Sequence, residues 1–388
     1  MTIPRIKSSA LSGFFALLVV ALGATARAEN KPSVIRISYP GVGVGARPFA
    51  SNNVIATVHL KGMLEEEFKK DGIAIQWSFL RGAGPAVNEL FANKIVDFSH
   101  LGDLPSVIGR ASGLKVRVLA ASGVRGNIYV SVPADSSVQS VKHLRGKRIA
   151  VQKGTSTHLG GLKVLEKFGL AEKDVKLVNM DTPSAQLALA TKDIDATFGT
   201  TDSLRLRDQG ITRIVFTTRQ QAPDLTSNGS FVAAEEFITK YPETTKRVLK
   251  VVVKAAQFIA ETPPVQIYQL WTKSGTTFSS FREDLAGEDL KYRNSPLLDP
   301  YHAARYKLQI QEAKRLGLIK QAFAYEQWIE PKFLAQALQE LGLEKYWQQR
   351  GNDGLPVQPD TTRAATPTRA GVAPAAQAPT PAAPAHGG

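Results

Sequence analysis

The sequence predicts an α/β body that continues into a helical C-terminal third. Short runs rich in β-branched and aromatic residues alternate with helical spacing as far as about Phe231, which is typical of βαβ units and a mostly parallel sheet. Beyond that point strand signals become rare and helical spacing dominates. A weak internal repeat further predicts that the α/β body comprises two similar lobes.

The strand-like runs begin at Val34–Tyr39, which predicts a buried strand, and helical spacing follows from about Phe49 to Lys70. Helical stretches separate most of the further predicted strands, which are Ile73–Phe79, Val96–Leu101, Val116–Ala121, Ile128–Val132, Arg148–Val151, Val175–Met180, Ile194–Phe198 and Ile211–Thr217. Helical spacing in the last third covers Tyr241–Ala260, Pro263–Lys273, Tyr301–Leu316 and Pro331–Leu341.

The internal repeat rests on three residue pairs that recur at a constant offset of 98 positions: Pro85 and Pro183, Lys94 and Lys192, Asp97 and Asp195. Each proline opens a helical run near its first position, where a missing N–H costs nothing. The two aspartates are expected to stabilise turns rather than to act as an acid/base pair. Chance similarity is the alternative, because αβ units share start and stop signals.

The composition excludes several classes of protein. The chain has 388 residues, 48 Lys plus Arg, 34 Asp plus Glu and no Cys. This length suffices for two or three domains of roughly 100–200 residues each. The lack of Cys excludes disulfides, thiolate nucleophiles, Cys-ligated zinc, iron–sulfur clusters and a lipid-modified N-terminal Cys. The net charge of +14 suits nucleic acid, a membrane surface or small anions as partners.

Residues 1–28 predict a cleavable signal peptide, with Arg5 and Lys7 before the apolar run Gly13–Leu22 and Ala26-Arg27-Ala28 at its end. The alternative is a membrane anchor, but the apolar run is short of the roughly 20 residues that span a bilayer. Export and the scattered basic residues argue against nucleic acid as partner. Loss of the three basic residues Arg5, Lys7 and Arg27 leaves 14 − 3 = +11.

The other end, residues 351–388, predicts a disordered tail. From Leu355 onward it contains seven Pro and ten Ala, without a periodic apolar pattern. Such a segment buries too little surface to offset the entropy of ordering it.

A Gly-rich segment, Gly41-Val42-Gly43-Val44-Gly45-Ala46, follows the first predicted strand and fits the G-x-G-x-x-A dinucleotide fingerprint. That fingerprint requires an acidic residue at the end of the second strand, where this chain has Phe79-Leu80-Arg81. Pro48 also falls where the helix should already be formed. We therefore expect the segment to bring backbone close to another anion at a helix start.

Two more helix starts carry the same signal. Gly82-Ala83-Gly84 opens one predicted helix, and Gly154-Thr155-Ser156-Thr157-His158 opens another directly after a strand. Bare N–H groups and the positive end of the helix dipole bind anions there. Ordinary N-capping explains any one of these starts alone. Three of them at carboxyl ends of strands favour a ligand site, since open α/β sheets bind ligands at that edge.

Catalytic and metal-binding patterns are sparse. The sequence contains no G-x-S-x-G, H-E-x-x-H, Walker or EF-hand motif, and its six His residues are spread singly. His158, one turn into a predicted helix, could donate to a ligand or could simply cap and pack. The sequence thus predicts neither a metal nor a cofactor.

Two segments carry a family resemblance. They read LRGKRIAVQKGTSTHLGGLKVLEKFGLAEKDVKLVNMDTPSAQLALATKDIDATFG, Leu144–Gly199, and FANKIVDFSHLGDLPSVIGRASGLKVRVLA, Phe91–Ala120. Both resemble the periplasmic solute-binding proteins of nitrate, sulfonate and taurine ABC importers. The family pattern G-[ST]-x-x-H is matched by Gly154, Thr155 and His158. Similarity in order and spacing extends from about Val34 to Leu343.

The resemblance implies a two-lobed α/β fold of the second periplasmic-binding type, with ligand in the cleft between the lobes. The first lobe would comprise residues 29–125 and 228–350, and the second residues 126–227. The implied ligand-binding positions are Gly43, Gly82, Ala83, Gly84, Gly102, Asp103, Thr155, Ser156, Thr157, His158 and Asp202. Sulfonate binders of the family often carry an aromatic-Asp-Pro cluster where this chain reads Phe198-Gly199-Thr200-Thr201-Asp202.

The function so implied is that of a monomeric, non-enzymatic periplasmic protein without lipid anchor. It would capture a small organic anion, above all an aliphatic sulfonate, for the permease of an ABC importer. Taurine, nitrate and other small anions are alternatives, and a taurine ammonium would need Asp103 or Asp202 as partner. Exported enzymes form the other class: a thiamine-precursor synthase, which would want a cofactor-anchoring Lys or a Cys-rich motif, or a dinucleotide-dependent oxidoreductase.

Overall fold

The computed structural model describes residues 31–48 and 52–357, and its strands form two sheets of five strands each. In chain order the strands are β1 Val34–Tyr39, β2 Ala74–Phe79, β3 Phe98–Gly102, β4 Val116–Gly126, β5 Tyr129–Pro133, β6 Arg148–Val151, β7 Lys176–Asn179, β8 Ala196–Gly199, β9 Thr212–Thr217 and β10 Ser227–Ala234. The first sheet has the order β2-β1-β3-β10-β4 and the second β7-β6-β8-β5-β9. We call the units built on them the first and second lobes.

The helices of the described residues lie between and after these strands. They are α1 Val54–Leu60, α2 Met63–Phe68, α3 Ala83–Ala92, α4 Asp103–Ala111, α5 Ser156–Lys167, α6 Thr182–Ala190, α7 Asp202–Asp208, α8 Thr218–Gln221, α9 Glu235–Lys240, α10 Pro242–Glu261, α11 Pro264–Trp271, α12 Phe278–Asp284, α13 Leu290–Arg293, α14 Pro300–Arg315 and α15 Lys332–Leu341. The predicted α/β body and helical C-terminal third are confirmed. No helix of the described part is long and apolar enough to cross a membrane.

Both sheets are mostly parallel, as predicted, and each contains one antiparallel strand. In the first sheet β10 runs antiparallel to β3 and β4, and in the second β5 runs antiparallel to β8 and β9. These two strands are the ones that receive the chain from the other lobe. The chain therefore crosses between the lobes at β4–β5 and again before β10, and both crossings lie beside the cleft.

Two details of the predicted elements are wrong. The helical run predicted from Phe49 to Lys70 is divided into α1 and α2, because Gly62 adopts a left-handed conformation with φ of 61°. Residues 49–51 of that predicted run lie outside the described part. Strand β10 was not predicted, since its first residues Ser227, Asn228 and Gly229 carry little β propensity.

The internal repeat is confirmed by matching contacts in the two lobes. The Asp97 carboxylate accepts hydrogen bonds from the Arg36 backbone N–H at 2.8 Å and from its guanidinium at 2.6 Å. Asp195 accepts from the backbone N–H and the guanidinium of Arg148 at 2.7 and 3.3 Å. The two aspartates thus hold the loops that enter β3 and β8, which agrees with their predicted role in turns.

Helix α10 packs the helical third against the first lobe. Its fully buried residues Val248, Val252, Ala255 and Ile259 follow helical spacing and belong to the same core as residues of β1 and α1. Full burial of each of the two valines and of the isoleucine contributes about 1.5–3 kcal/mol. This packing fixes the C-terminal helices relative to the first sheet and carries later segments back to the cleft.

The two terminal predictions fall largely outside the described part. The predicted signal peptide, residues 1–28, lies there entirely. The predicted tail lies there from residue 358, but its first residues 351–357 form an ordered turn. In that turn the Gly351 N–H donates to the Leu355 carbonyl at 2.9 Å, and the Val357 N–H donates to Gln349. The start of the tail at residue 351 is therefore wrong.

Candidate ligand-binding cleft

A cavity of about 560 Å³ lies between the two lobes. It is lined by the loops that follow β1, β2, β3, β6, β7 and β8, at the carboxyl ends of parallel strands, and by the segments that cross between the lobes. Crevices at this edge are where open α/β sheets bind ligands. The cavity is therefore the candidate functional site.

Three helix starts from the two lobes converge on this cavity. Helix α3 begins at Ala83, α4 begins after Gly102, and α5 begins after Thr155. No side chain of the residue before any of these three described helices caps it, although the Asp103 carboxylate accepts from the Leu104 N–H within α4. The first-turn N–H groups that make no intrahelical hydrogen bond, and the dipole ends of the helices, make this region favourable for an anion.

The starts of α4 and α5 approach each other closely across the cleft. A Cβ added to Gly102 would lie 2.3 Å from the Ser156 Oγ, so only glycine permits this approach. The Ser156 Oγ is buried and has no hydrogen-bond partner among the residues that the structure describes. A buried hydroxyl without a partner is costly. It is available to donate to a ligand at this point.

Two threonines beside Ser156 form a small hydroxyl network. The Thr155 Oγ1 donates to the Gln152 carbonyl at 2.6 Å and lies 2.8 Å from the Thr157 Oγ1. Since the Thr155 proton is used by the carbonyl, Thr157 donates to Thr155 in this network. Both side chains line the cavity. Their oxygens add polar groups to the anion-favouring region without adding charge.

The first lobe contributes a buried aromatic and amide group. The ring of His100 stacks on Tyr39 with centroids 5.1 Å apart, and its Nδ1 lies 2.7 Å from the Ser122 Oγ. The Asn53 amide nitrogen donates to the Tyr39 hydroxyl. Burial lowers the pKa of His100 to about 4, so the imidazole is neutral at pH 7. It presents a hydrogen-bonding surface rather than a cation.

Asp202 lines the cavity at the start of α7 in the second lobe. Its Oδ1 accepts a hydrogen bond from the hydroxyl of Thr276, which follows α11 in the helical third. Thr276 is almost fully buried and also lines the cavity. A carboxylate therefore faces the same space as the helix starts.

Arg293 reaches the cavity from α13, where it is held by backbone and carboxylate groups. Its Nη1 donates to the Arg125 carbonyl at 2.9 Å, and its guanidinium lies 4.0 Å from Asp284 and 3.9 Å from Glu288. These two carboxylates offset its charge. Arg293 thus contributes N–H groups to the cleft more than net positive charge.

Arg81 joins the two rims of the cleft. Its carbonyl accepts from the Gln152 side chain at 3.2 Å, and its guanidinium lies 3.6 Å from the Asp181 carboxylate of the second lobe. The Arg81 side chain is about half exposed, so this pair adds at most a few tenths of a kcal/mol. It marks the place where the lobes meet.

The structure brings most of the predicted site residues together. Eight of them line the cavity: Gly43, Ala83, Gly84, Gly102, Thr155, Ser156, Thr157 and Asp202. Gly82, Asp103 and His158 do not line it. The sequence signals for helix starts after strands therefore predicted which segments line the cleft, but they did not predict the direction of every side chain.

Asp103 is fully buried and faces the interior behind the cleft, so the expectation that it meets a ligand is wrong. Its Oδ2 accepts from the Asn228 N–H at 3.0 Å and from the Gln309 side chain at 2.9 Å. The carboxylate thereby ties α4 to β10 and α14. Its role is to hold the crossing strand in place.

His158 does not line the cavity, and its Nε2 is buried without a hydrogen-bond partner among the described residues. It is buried, and its Nδ1 accepts from the Gly154 N–H at 3.3 Å, which closes the loop before α5. Burial lowers its pKa, so the ring is neutral at pH 7. Gly82 precedes α3 without facing the cavity.

The Gly-rich segment does not open a helix as expected. Val44–Ala46 forms a 3-10 turn, and the first α-helix begins at Val54. The Gly43 N–H donates to the Arg47 carbonyl at 2.9 Å. The strand–loop–helix geometry of the dinucleotide fingerprint is therefore absent from this described segment, although Gly43 does line the cavity.

Several lining residues were missed by sequence reasoning. They are Tyr39, Asn53, His100, Asn127, Gln152, Gln186, Thr276, Phe281 and Arg293. Asn53 does carry a local signal, since its side chain accepts from the Ala56 N–H as an N-cap. Thr276, Phe281 and Arg293 lie in the helical third and reach the cleft only through tertiary packing. Among the described residues no three His, Asp or Glu side chains are placed to share a metal ion.

Comparison with known proteins identifies a matching family model and several relatives of known or assigned binding function. The NMT1/THI5-like family model matches residues 68–265, just over half of the chain. A provisionally named aliphatic sulfonates-binding protein of Bacillus subtilis strain 168 is 32% identical over 199 residues, which are 50% of this chain and 58% of that protein. The alignment thus spans less than two thirds of that relative.

Solved structures extend the likeness to about four fifths of the chain. A provisionally assigned periplasmic sulfonate-binding protein SsuA of Methylobacillus flagellatus KT is 29% identical, with a TM-score of 0.68, covering 82% of this chain and 97% of that one. The desulfurization enzyme DSZB, in a mutant form in complex with biphenyl-2-sulfinic acid, is 18% identical with a TM-score of 0.60, covering 79% and 99%. The latter likeness shows the fold alone. The two-lobed periplasmic-binding fold is confirmed.

Proposed function

The chain belongs to the NMT1/THI5-like family, and from this premise we propose that it is a periplasmic protein that binds an organic sulfonate and delivers it to an ABC importer. The observation that carries the proposal is the convergence of the starts of α3, α4 and α5 on one cavity between two lobes. The sulfonate-binding names of the relatives from Bacillus subtilis and Methylobacillus flagellatus support the same ligand class.

A sulfonate suits these helix starts because its three oxygens share one delocalised negative charge. Each oxygen accepts hydrogen bonds without needing a protonated partner, and backbone N–H groups supply them. In this proposal the backbone N–H groups of Gly84, of Asp103 and of the first turn of α5 hold the sulfonate. The Ser156 hydroxyl adds a hydrogen bond to a charged acceptor, which is worth about 1.5–3 kcal/mol.

Capture follows from closure of the lobes around the ligand. The two crossings between the lobes act as a hinge, and ligand stabilises the closed arrangement because it contacts both lobes only there. The Gln152 side chain of the second lobe donates to the Arg81 carbonyl of the first, and this contact would join the two rims of the cleft in the closed arrangement. Closure excludes water and strengthens the hydrogen bonds to the sulfonate.

The proposal includes export and delivery by a monomer that catalyses no reaction. Residues 1–28 would direct export and be removed, and the permease of the importer would be the protein partner. Mass spectrometry of the protein from a periplasmic extract tests the first part, with a mature N-terminus near Glu29 expected. A full-length mass would contradict it.

One second candidate is desulfurization of an organic sulfinate in the same cleft, since a solved desulfurization enzyme with a sulfinate bound has a similar fold. One fold hosts many functions, so the fold does not decide between them. The chain has no Cys to supply a thiolate. We expect chromatography to recover biphenyl-2-sulfinate unchanged after incubation with the protein, and turnover above the blank would establish the enzyme instead.

A melting-temperature screen tests sulfonate binding. Alkanesulfonates, aromatic sulfonates, taurine, nitrate and bicarbonate are each added to the purified mature chain. A ligand present at 100 times its Kd stabilises the native state by about 2.7 kcal/mol, which raises the melting temperature by several degrees. Sulfonates are expected to give the largest increase. No increase with any of these anions would contradict the proposal.

The variant Ser156→Ala tests whether the proposed site is the one that binds. Loss of its hydroxyl is expected to raise the Kd for a sulfonate about tenfold or more, since the hydrogen bond goes to a charged group. Ser279→Ala, an exposed serine on α12, is the matched control and should leave the Kd unchanged. Equal Kd values for the two variants would place the sulfonate elsewhere.

A further inference from the structure

A third connection between the lobes lies beside the cleft, in addition to the two crossings of the chain. Helix α7 of the second lobe and helix α12 of the helical third contact each other there. The guanidinium of Arg207 on α7 donates from Nη1 and Nη2 to the two carboxylate oxygens of Glu283 on α12, both at 2.7 Å. Where α7 begins, Asp202 accepts from the hydroxyl of Thr276, which precedes α12. We call these two contacts the α7–α12 latch.

The apolar side of α12 belongs to the first lobe. Phe281 of this helix and Leu285 directly after it are buried in the same core as Ile37 of β1. The Phe281 ring packs on the buried Trp271 with centroids 5.9 Å apart, and the Trp271 indole N–H donates to the Thr57 hydroxyl of α1 at 3.0 Å. Because separation would expose this apolar surface to water, α12 stays with the first lobe when the lobes move.

The side of α12 that faces the second lobe is polar. The Arg207 and Glu283 side chains are 33% and 43% exposed, and they meet through charge-assisted hydrogen bonds rather than apolar packing. When such partly exposed groups separate, water replaces each partner at a small cost in free energy. The ion pair is therefore able to break while α12 remains packed on the first lobe.

Asp284, next to Glu283, holds the latch beside the hinge. It accepts from Asn127 and Tyr129, where the chain enters the second lobe, and from Thr201 directly before α7. These bonds are largely shielded from water, whereas the Arg207–Glu283 pair is partly exposed. The ion pair is thus the part of this contact that opens at least cost.

The latch forms part of one wall of the cleft. Asp202 and Thr276 line the cavity, but neither Arg207 nor Glu283 does. A ligand in the cavity therefore does not touch the ion pair. A change in the ion pair reaches a ligand only through the relative position of the two lobes.

We propose that the α7–α12 latch controls the exchange of the ligand, since it holds the second lobe against α12 while the ligand is bound and opens before the ligand leaves. Arg207 and Glu283 are then positioning residues that set the lifetime of the complex. The inference rests on the proposed function, because it takes a ligand in the cleft as its starting point. A contact made only in the closed arrangement shifts the lobes towards it and slows dissociation of a ligand held between them.

Exchange of the two charges tests the latch by rescue. Arg207→Glu places a second carboxylate opposite Glu283 and should raise the dissociation rate of a bound alkanesulfonate about tenfold in stopped-flow measurements, since repulsion replaces attraction. Arg207→Glu/Glu283→Arg restores an ion pair and should return the rate to within about twofold of the parent's. Lys142→Glu, at an exposed position of the second lobe outside the latch and the cavity, is the matched control and should leave the rate unchanged.

A cleavable cross-link tests whether the latch has to open. The chain has no Cys, so Arg207→Cys/Glu283→Cys introduces the only two thiols, which a disulfide-containing bismaleimide joins. With an alkanesulfonate bound beforehand, the linked protein should release it at least about tenfold more slowly, and reduction of the linker should restore the rate of the unlinked variant. Gln336→Cys/Gln339→Cys, linked within α15 of the first lobe, is the matched control and should release the ligand at the unlinked rate.

Spin labels on the two lobes follow the latch without any ligand. Glu66→Cys in the first lobe and Lys173→Cys in the second place the labels at exposed positions, and electron spin resonance measures the distance between them. Addition of Arg207→Glu should broaden the distance distribution, because the lobes are held together less firmly. Further addition of Glu283→Arg should restore the parent distribution.

The outcomes separate this inference from the proposed function. If no sulfonate binds the parent chain, the proposed function fails, and the assigned role in ligand exchange fails with it. If a sulfonate binds but Arg207→Glu leaves its dissociation rate and the spin-label distances unchanged, or the linked protein releases it at the unlinked rate, the inference is overturned while the proposed function stands. Faster release and a broader distribution in Arg207→Glu, both reversed by Glu283→Arg, support the latch.

Discussion

The Asp284 carboxylate joins the helical third to the second lobe through three hydrogen bonds. It accepts from the Tyr129 hydroxyl at 2.7 Å, the Asn127 side chain at 2.8 Å and the Thr201 hydroxyl at 2.8 Å. It is 1% exposed, and the Arg293 guanidinium lies 4.0 Å away. A buried carboxylate is tolerated only while these partners remain, because its desolvation has to be offset.

Replacement of this carboxylate is expected to destabilise the chain strongly. Asp284→Ala removes the acceptor of three side-chain hydrogen bonds and one of the two carboxylates beside Arg293, so the free energy of unfolding should fall by about 3–5 kcal/mol. Asp284→Asn, which keeps one acceptor, should cost less. Urea denaturation measures both, with the exposed Glu344→Ala as control, expected within about 0.5 kcal/mol of the parent. A loss for Asp284→Ala no larger than the control's would contradict this role.

Histidine burial makes the stability depend on pH. Burial lowers the pKa of His59, His100, His158 and His302, to about 4 for His100 and about 3 for His302. The unfolded chain binds protons at these residues near pH 6.5, whereas the folded chain does not until the lower pKa is reached. The unfolded state therefore gains protons first, and stability falls as the pH falls from about 6.5 towards 4.

Urea denaturation at pH 7.5, 6.5, 5.5 and 4.5 checks this dependence. The free energy of unfolding should fall by a few tenths of a kcal/mol per shifted histidine between pH 7.5 and 6.5, and then by up to about 1.4 kcal/mol per pH unit for each fully shifted histidine. Carboxylates with lowered pKa values, such as Asp71, add to the loss only at lower pH, near their unfolded pKa. His100→Gln should reduce the slope. Constant stability between pH 6.5 and 4.5 would contradict the buried, neutral histidines.

At the scale of elements, α3 and α6 end in the same way. Lys94 and Lys192 follow them with φ of 57° and 63°, a left-handed conformation that favours glycine. After α3 the Lys94 N–H donates to the Phe91 carbonyl, and after α6 the Lys192 N–H donates to Leu189. Both helices thus carry a lysine where a helix end usually carries glycine, and this stores strain in both lobes.

Glycine at this position is expected to stabilise the chain. Lys94→Gly removes the strain of the left-handed Cβ, about 1–2 kcal/mol, and part of the gain is offset by the greater freedom of glycine in the unfolded chain. The free energy of unfolding should rise by about 0.5–1 kcal/mol in urea denaturation. Lys94→Ala keeps the Cβ and serves as control, with no gain expected. Equal stability of the two variants would show that no strain is stored there.

Elements with a local signal were predictable, and those fixed by distant contacts were not. Val34–Tyr39 and Arg148–Val151 were predicted with the bounds found, because both are short runs rich in β-branched residues. Strand β10 was missed because it contains Gly229, and glycine has low β propensity. Glycine is required at this position by close packing against His100, since a Cβ on residue 229 would lie 2.4 Å from the His100 ring.

At the scale of the whole molecule, the candidate site combines predictable and unpredictable parts. The starts of α3 and α5 were predictable because glycines and hydroxyls follow strands in the sequence. Thr276 and Arg293 were not, since they reach the cleft only after the helical third packs on the first lobe. The inward direction of the Asp103 side chain depends on a hydrogen bond from Gln309, which is 206 residues away in the chain, so no local sequence pattern predicts it.

The net positive charge does not collect in the cleft. The guanidinium of Arg81 lies near Asp181, and that of Arg293 near Asp284 and Glu288. An anion at the proposed site therefore meets N–H groups and hydroxyls rather than unpaired cations. Since such dipoles are fixed by the fold, we expect the affinity for a sulfonate to depend only weakly on salt concentration.

The central claim is that the sulfonate lies where the helix starts of the two lobes converge. A crystal structure of the mature chain with a bound alkanesulfonate measures this directly. The claim predicts sulfonate oxygens within hydrogen-bond distance of the Ser156 hydroxyl and of backbone N–H groups at the starts of α3, α4 and α5, with the carbon chain in the cavity. A sulfonate bound outside the cleft, or in the cleft but away from these groups, would contradict it.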